Sequence, residues 1–302
     1  MTPPAGRPAR GRQPIPIPDL VAAALAEDLG EAGDVTSRLL VPESAVARGA
    51  VVARAAGVLA GRALAEEVLR QTGVAGRWLA ADGDRLEPGT TIVRVEGPAR
   101  AVLAAERTLL NGLCRLSGIA TLTARYVDAA RPALVLDTRK TTPGWRALEK
   151  AAVRAGGGTN HRLGLDDRVL VKDNHLALAG AGLEEAVARA RRELPGMIIE
   201  VEADDLEGVA RAIAAGADWV LLDNMDAEQL REAVALAAGR VRLEASGGMT
   251  LERAREAAAC GVDAVSVGAL THSAPALDLG LDLEPASARV GGPGAGVSRS
   301  GR

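Results

Sequence analysis

The sequence predicts an α/β protein, with a small N-terminal α+β domain followed by a parallel α/β barrel. Three observations carry that expectation. In the second half, six short apolar runs alternate with amphipathic helical stretches, the pattern of parallel strands joined by right-handed crossovers. Polar or small residues follow every run, at the edge where such barrels carry their chemistry. All three lysines and two of the three histidines fall between residues 137 and 175, beside the first two runs.

Residues 1–18 are rich in Pro, Arg and Gly and hold no apolar run. They read as a disordered tail, neither a secretory signal nor a membrane span. From Asp19, the residues Leu20, Val21, Ala24 and Leu25 recur at helical spacing. Two acidic, turn-rich pieces follow, Glu27-Asp28-Leu29-Gly30 and Gly33-Asp34-Val35-Thr36. Strands are expected at Val51-Val52-Ala53 and Ile92-Val93-Arg94-Val95, with a helix over 61–71 between them. Asp82-Gly83-Asp84 and Pro88-Gly89 are turn signals. A long helical pattern then runs from Ala101 to Ala130. The expected division is an N-terminal domain over 19–117 and a barrel over 118–274. Residues 275–288 pack back on the first domain, and 289–302 form a second disordered tail.

Within the barrel the strands are expected at 134–136, 169–171, 197–201, 219–222, 241–245 and 264–267. The clearest helices are 184–193, 206–215, 228–238 and 251–259. Hydrophobic residues make up 48% of the chain but aromatics only 1%, so Ala, Leu and Val must fill the core. A net charge of −3 offers no basic field, and one Tyr, three Trp and no Phe give few stacking platforms, which argues against nucleic-acid binding. Cys114 and Cys260 sit in apolar helical contexts and match no metal spacing, the usage of a reduced, cytoplasmic protein.

The chain carries 36 Lys plus Arg, yet only Lys140, Lys150 and Lys172 are lysine. Lys is a compact point charge and Arg a planar fork, so lysines kept against such a background mark places that need a lysine. Lys140 and Lys172 follow the first two strands, and Glu202 and Asp223 the next two. Ser246-Gly247-Gly248 and Gly268 follow the last two. Such glycine turns let backbone amides approach a phosphate, though they also serve as ordinary tight turns. Arg139, Lys140, His161, Arg162 and Lys172 form a cationic set able to hold several anionic groups. Glu202 and Asp223 suit a divalent metal, ribose hydroxyls or a developing positive charge, or they pair with Lys172 and Arg162. Together these groups suggest a phosphorylated sugar beside a polyanionic partner.

The residues that carry this pattern are Asp137-Thr138-Arg139-Lys140-Thr141-Thr142-Pro143-Gly144, Glu149-Lys150, Gly156-Gly157-Gly158-Thr159-Asn160-His161-Arg162 and Lys172-Asp173-Asn174-His175. Glu106-Arg107, Leu116-Ser117-Gly118, Glu200-Val201-Glu202, Leu222-Asp223-Asn224, Glu244-Ala245-Ser246-Gly247-Gly248 and Gly268 to Ser273 extend it. From Asp19 to Leu283 the chain resembles the quinolinate phosphoribosyltransferases, also called carboxylating nicotinate-nucleotide pyrophosphorylases. The resemblance implies an incomplete barrel of the type II phosphoribosyltransferase kind, with six or seven strands. It implies transfer of phosphoribosyl from phosphoribosyl pyrophosphate to quinolinate with decarboxylation, in NAD biosynthesis and with magnesium (Mg2+).

By the same resemblance, Arg107, Arg139, His161, Arg162 and Lys172 bind the quinolinate carboxylates, and Lys140 lies on the phosphoribosyl pyrophosphate side. Glu202 and Asp223 hold ribose hydroxyls or metal, and Ser246, Gly247 and Gly268 bind the 5′-phosphate. Family members are homodimers or larger, so Arg107 would act in the partner's site. Asp166-Asp167 depart from the family pattern, and Asp166 is expected to face solvent. Three alternatives stay open: the related molybdenum-transport-associated protein of the same fold, a Schiff-base aldolase acting through Lys172, and an inactive oligomeric binding protein.

Overall fold

A computed structural model describes residues 14–284. The elements of the first half are α1 (Ile17–Leu29), α2 (Val35–Leu40), β1 (Val46–Ala53), β2 (Gly57–Val58), α3 (Arg62–Thr72), β3 (Ala75–Trp78), β4 (Arg85–Leu86), β5 (Thr91–Pro98) and α4 (Ala99–Ala130). Those of the second half are β6 (Leu134–Leu136), α5 (Arg146–Ala155), β7 (Val169–Val171), α6 (Asp173–Ala179), α7 (Leu183–Glu193), β8 (Ile199–Ala203), α8 (Leu206–Ala215), β9 (Trp219–Asp223), α9 (Ala227–Ala237), β10 (Arg242–Ser246), α10 (Leu251–Cys260), β11 (Ala264–Ser266), α11 (Ala269–His272) and β12 (Leu279–Leu283).

The first sheet has the order β12-β1-β5-β3 and is antiparallel, with β12 returning from the far end of the chain to lie beside β1. The second has six parallel strands in the order β6-β11-β10-β9-β8-β7. Its end strands β6 and β7 do not pair with each other, so the barrel is incomplete. In that gap Thr159 makes one parallel bridge to Leu136.

The start of the first helix differs from expectation. Ile17 and Pro18, placed in the expected tail of 1–18, are helical. The N–H groups of a first turn have no helical partner, so Pro18 loses nothing there. The rest of that tail, up to residue 13, and the tail expected at 289–302 lie outside the described residues. Three barrel strands also end later than their apolar runs: Glu202, Asp223 and Ser246 are ladder residues, not residues that follow it. Strand pairing is a main-chain interaction, so a polar side chain does not end it.

Local devices set the barrel helices. Asp205, Asp226 and Thr250 cap α8, α9 and α10 by accepting N–H groups of the first turn. Asp218 and Asp263 accept from Ile199 and Leu243, at the start of the preceding strands, at 2.7 and 2.9 Å. Each carboxylate so fixes the register of its neighbour.

Helix α4 is the spine between the two sheets and packs against α3, α5 and α10. Ser117 and Thr121 on it satisfy the backbone of Ala60 and Val58 at 3.0 and 2.9 Å. Gly118 lies flat under the segment that leads to β12, where a Cβ would overlap the Pro275 carbonyl oxygen. Among the described residues, no helix is long and apolar enough to cross a membrane.

Gly118→Ala therefore drives α4 and residues 275–276 apart. A stability loss of about 1–3 kcal/mol is expected, read as a lower urea midpoint with unchanged slope. A midpoint equal to wild type would show that this contact is loose.

Candidate active site

The site is built from residues at the carboxyl ends of the parallel strands. Next after β6 stands Asp137, fully buried. Its carboxylate accepts from the Lys150 ammonium, from the His161 backbone N–H at 2.8 Å and from Asn160 Nδ2 at 2.6 Å. Lys150, on α5, is itself fully buried. Burial pushes the Asp137 carboxyl up and the Lys150 ammonium down, and each is opposed by the charge of the other. One buried pair thus pins two loops: 138–142, carrying Arg139 and Lys140, and 159–162, carrying His161 and Arg162. Arg146 binds the same loops from outside, with Nε on Thr141 Oγ1 at 2.9 Å and Nη1 on the Leu163 carbonyl at 3.1 Å.

Arg162 sits among Arg139, Glu200, Asp167 and Arg168. Burial, then the Arg139 charge, lowers its pKa from the ordinary guanidinium value. Its Nε is buried and has no hydrogen-bond acceptor among the described residues. A buried charged donor without an acceptor is costly, and an anionic ligand would supply one.

Below Arg162, His161 departs from the expected free cation. Its Nε2 lies 3.1 Å from Glu200 and 3.2 Å from Glu244, both buried inside the barrel. Arg168 Nη1 reaches Glu200 at 3.1 Å, and its guanidinium stacks 5.4 Å from the Trp219 ring centroid. Burial opposes protonation of His161, but Glu244 and Glu200 outweigh it and raise its pKa to about 9. The charges alone thus favour an imidazolium. The Arg162 backbone N–H, however, faces Nδ1 at 2.7 Å, and an N–H cannot donate to a protonated nitrogen. Arg168 Nη1 likewise lies 3.2 Å from Nε2. The ring thus sits between two donors and two buried carboxylates, a hydrogen-bonded strut and not a free cation. Burial, then Glu200, pushes the Glu244 carboxyl up.

His161, Glu200 and Glu244 bring three potential ligand atoms within 4.8 Å of one another. Arg168 Nη1, 3.1 Å from Glu200 and 3.2 Å from His161 Nε2, already brings positive charge to the trio, which therefore suits a buried hydrogen-bond network better than a metal ion.

Glu202 and Asp223 stand on neighbouring strands. The Lys172 ammonium pairs with Glu202. Asp223 Oδ2 accepts from Asn224 Nδ2 at 2.9 Å. Asn224 has a positive φ of 57°, and its backbone N–H donates to the Ser246 carbonyl at 3.0 Å. Its side-chain amide fills the space a Cβ on Gly247 would need, and Gly247 has φ +95°, so only glycine fits there. Gly268 differs: its φ of −65° suits any residue. Space is the constraint there, because a Cβ would crowd Lys140 Cδ at 3.1 Å and His272 Nε2 at 3.2 Å. Lys140 therefore crosses the turn after β11.

These contacts group Arg139 with Arg162, Lys172 with Glu202, Asp223 with the Ser246-Gly247 turn, and Lys140 with Gly268. They do not include Arg107, which stands exposed on α4 and pairs with Glu106 at 3.9 Å. Asp166 is exposed, whereas Asp167 Oδ2 accepts the Leu163 N–H at 2.5 Å. Sequence reading missed Arg168, Glu200, Glu244 and Asp137 as supports. The signal was present: a carboxylate in the middle of an apolar strand, as in Ile199-Glu200-Val201 and Leu243-Glu244-Ala245, needs a buried partner.

The quinolinate phosphoribosyl transferase N-terminal domain model matches residues 34–117, and the C-terminal domain model matches 119–282. The chain is 45% identical over 274 residues to the carboxylating nicotinate-nucleotide pyrophosphorylase of Mycobacterium leprae, covering 88% of this chain and 96% of that protein. It is 43% identical over 262 residues to the probable carboxylating nicotinate-nucleotide pyrophosphorylase of Bacillus subtilis, covering 85% and 90%. The solved nicotinate-nucleotide pyrophosphorylase of Francisella tularensis superposes with a TM-score of 0.84 at 38% identity, covering 89% of this chain and 98% of that one.

Asp137→Asn leaves the Lys150 ammonium buried without its anion. We expect a loss of about 3–5 kcal/mol in chemical denaturation. Asp137→Leu combined with Lys150→Met should lose less than Asp137→Asn alone. A double variant as unstable as the single one would mean that the pair's hydrogen bonds, not its charges, hold the two loops.

Proposed function

The chain belongs to the quinolinate phosphoribosyltransferase family, and on that footing we propose how its barrel mouth divides the work. The enzyme transfers phosphoribosyl from phosphoribosyl pyrophosphate to quinolinate with decarboxylation, giving nicotinate mononucleotide, carbon dioxide and pyrophosphate in NAD biosynthesis. The observation that carries the site assignment is Arg162, beside Arg139 and with its buried Nε lacking an acceptor among the described residues. Arg139, Arg162 and Lys172 hold the two carboxylates of quinolinate, and His161 supports Arg162 from behind. Lys140, Ser246, Gly247 and Gly268 hold phosphoribosyl pyrophosphate.

The reaction runs in two stages. The pyridine nitrogen bonds to the anomeric carbon as the bond to pyrophosphate breaks. Glu202 and Asp223 offer negative charge and hydroxyl acceptors where the ribose ring becomes cationic. The product is a pyridinium. When the adjacent carboxylate leaves as carbon dioxide, its electron pair stays on the ring carbon beside the positive nitrogen and is then protonated. No separate electron-sink cofactor is needed. Lys172 joins the two halves, because it pairs with Glu202 while facing the diacid.

Magnesium fits the acidic side. Burial, then Asp173, Asp223 and Glu202, pushes the Asp204 carboxyl up, a sign of crowded negative charge among hard oxygen donors. Glu202 and Asp223 would hold the ion. When bound, it supplies neutralising charge at pyrophosphate. The free thiols of Cys114 and Cys260 support a cytoplasmic setting.

A homodimer or larger assembly with shared sites is supported by two exposed apolar groups. Val35, Leu39 and Leu40 stand out on α2, and Leu163, Leu165 and Leu178 on the barrel side. Arg107, exposed on α4, then completes the diacid pocket of a partner.

Quinolinate should yield stoichiometric pyrophosphate and carbon dioxide, and a chelator should abolish turnover. Lys140→Ala and Lys172→Ala should each lower kcat/KM by about a hundredfold or more. Equal turnover of nicotinate would remove the two-carboxylate pocket from the account. Mixing inactive Arg107→Ala and Lys172→Ala chains should restore activity to a fraction of the sites. If the mixture stays inactive while mixed assemblies form, Arg107 acts within its own chain.

A further inference from the structure

Lys140 carries a charge at the end of a long side chain on an exposed loop. Such a group is useful to a phosphate ligand only if its main chain is held in place. The structure provides a hold distinct from Asp137. The Thr271 hydroxyl, fully buried, donates to the main-chain carbonyl of Lys140 at 2.7 Å. Its alternative acceptor, the Gly268 carbonyl, is farther at 3.3 Å. Two residues along, Thr142 donates its N–H at 3.0 Å and its hydroxyl at 2.8 Å to the carboxylate of Glu149. That carboxylate is fully buried on α5. Arg115, on α4, donates to Glu149 at 2.9 Å, to the Ala274 carbonyl at 3.2 Å and to the Thr271 carbonyl. The ring closes: Thr271, Lys140, Thr142, Glu149, Arg115 and back to Thr271.

We propose that Thr271 is a positioning residue for phosphoribosyl pyrophosphate, fixing the backbone of Lys140 above the Gly268 turn through a ring that Glu149 and Arg115 close. This rests on the reading that Lys140 and Gly268 serve that substrate. Three features favour positioning over plain packing. Through Glu149 and Arg115 the ring joins the two segments assigned to the phosphoribosyl side, residues 140–142 and 268–274. The Lys140 side chain passes over Gly268, the residue that starts the turn holding Thr271. And the neighbours of Arg162 have their own tethers, His161 N–H on Asp137 and the Leu163 carbonyl on Arg146, so the ring is not needed to place Arg162. Arg115 adds that the interdomain helix takes part directly in setting one half-site.

The test compares Thr271→Val, Thr271→Ser, Thr142→Val and Lys140→Ala by initial rates against each substrate in turn, with thermal melting of every variant. Thr271→Val removes the donor at nearly constant volume and should raise KM for phosphoribosyl pyrophosphate about tenfold, leaving KM for quinolinate within about twofold. Thr271→Ser should return both to wild-type values. Thr142→Val, at an exposed position, should shift the same KM by about threefold without lowering the melting temperature, and so serves if Thr271→Val does not fold. Equal rises in both KM values, or no change in either, overturn the proposal. If Lys140→Ala raises KM for phosphoribosyl pyrophosphate and the threonine variants do not, the positioning role fails and the site reading stands. If Lys140→Ala leaves that KM unchanged, the reading of Lys140 fails and takes the ring with it.

Discussion

The mouth of this barrel depends on one buried carboxylate. Asp137 ends the apolar run of β6 and accepts from Lys150, from Asn160 and from the His161 backbone. Burying a carboxylate and an ammonium together costs several kcal/mol per ion before their attraction repays it. A hydrophobic pair would avoid that cost, but it could not accept a backbone N–H. The acceptor role explains the ionic choice: two loops rich in positive charge must be brought together against their own repulsion. Arg139 and Arg162 are close enough for one charge to lower the pKa of the other, and only fixed main chains hold them so.

The same carboxylate accounts for the open seam of the sheet. Between β6 and β7 no ladder forms. Instead residues 159–161 run alongside β6 as a fragment of a further strand. Thr159 N–H donates to the Val135 carbonyl at 2.8 Å, and Asp137 N–H donates to the Thr159 carbonyl at 3.2 Å. At the next position the Asp137 side chain accepts the His161 N–H in place of a main-chain carbonyl. A side chain finishes the ladder, and the chain is then free to turn Arg162 toward the mouth.

Much of this was legible in the sequence because it is written in alternation. Six apolar runs and their helices have a strong period, and Lys140, Lys172, Glu202, Asp223, Ser246 and Gly268 are visible as what interrupts or ends each run. The supports were harder to see. Glu149 and Lys150 lie on one short helix whose pattern looks solvent-exposed, yet both are fully buried. Their partners Arg115 and Asp137 are 34 and 13 residues away in sequence, and no local period joins such pairs. His161 illustrates the limit in another way. Its residue type suggested a ligand-binding cation. Its environment, two buried glutamates and a backbone donor, makes it a hydrogen-bonded strut, and environment is a tertiary fact.

Charge at the mouth is arranged so that ground-state binding does not exhaust it. Lys172 is held by Glu202 and Arg168 by Glu200, so neither is an unopposed attractant for the diacid. Arg162 feels Glu200 and Asp167 as well as Arg139 and Arg168, yet its buried Nε has no acceptor among the described residues. On the proposed assignment, an anionic substrate would complete that one donor and meet cations already paired elsewhere. That distribution suits a decarboxylation, because a carboxylate clamped equally in ground and transition states would gain no rate. On that assignment, the carboxylate that stays would meet the Arg162 Nε, and the one that departs would lie nearer Lys172, whose partner Glu202 can reclaim it as negative charge leaves the carboxyl group for the ring. The Arg168–Glu200 and Lys172–Glu202 pairs would then do more than neutralise the pocket: they would set how firmly each of two chemically similar groups is held.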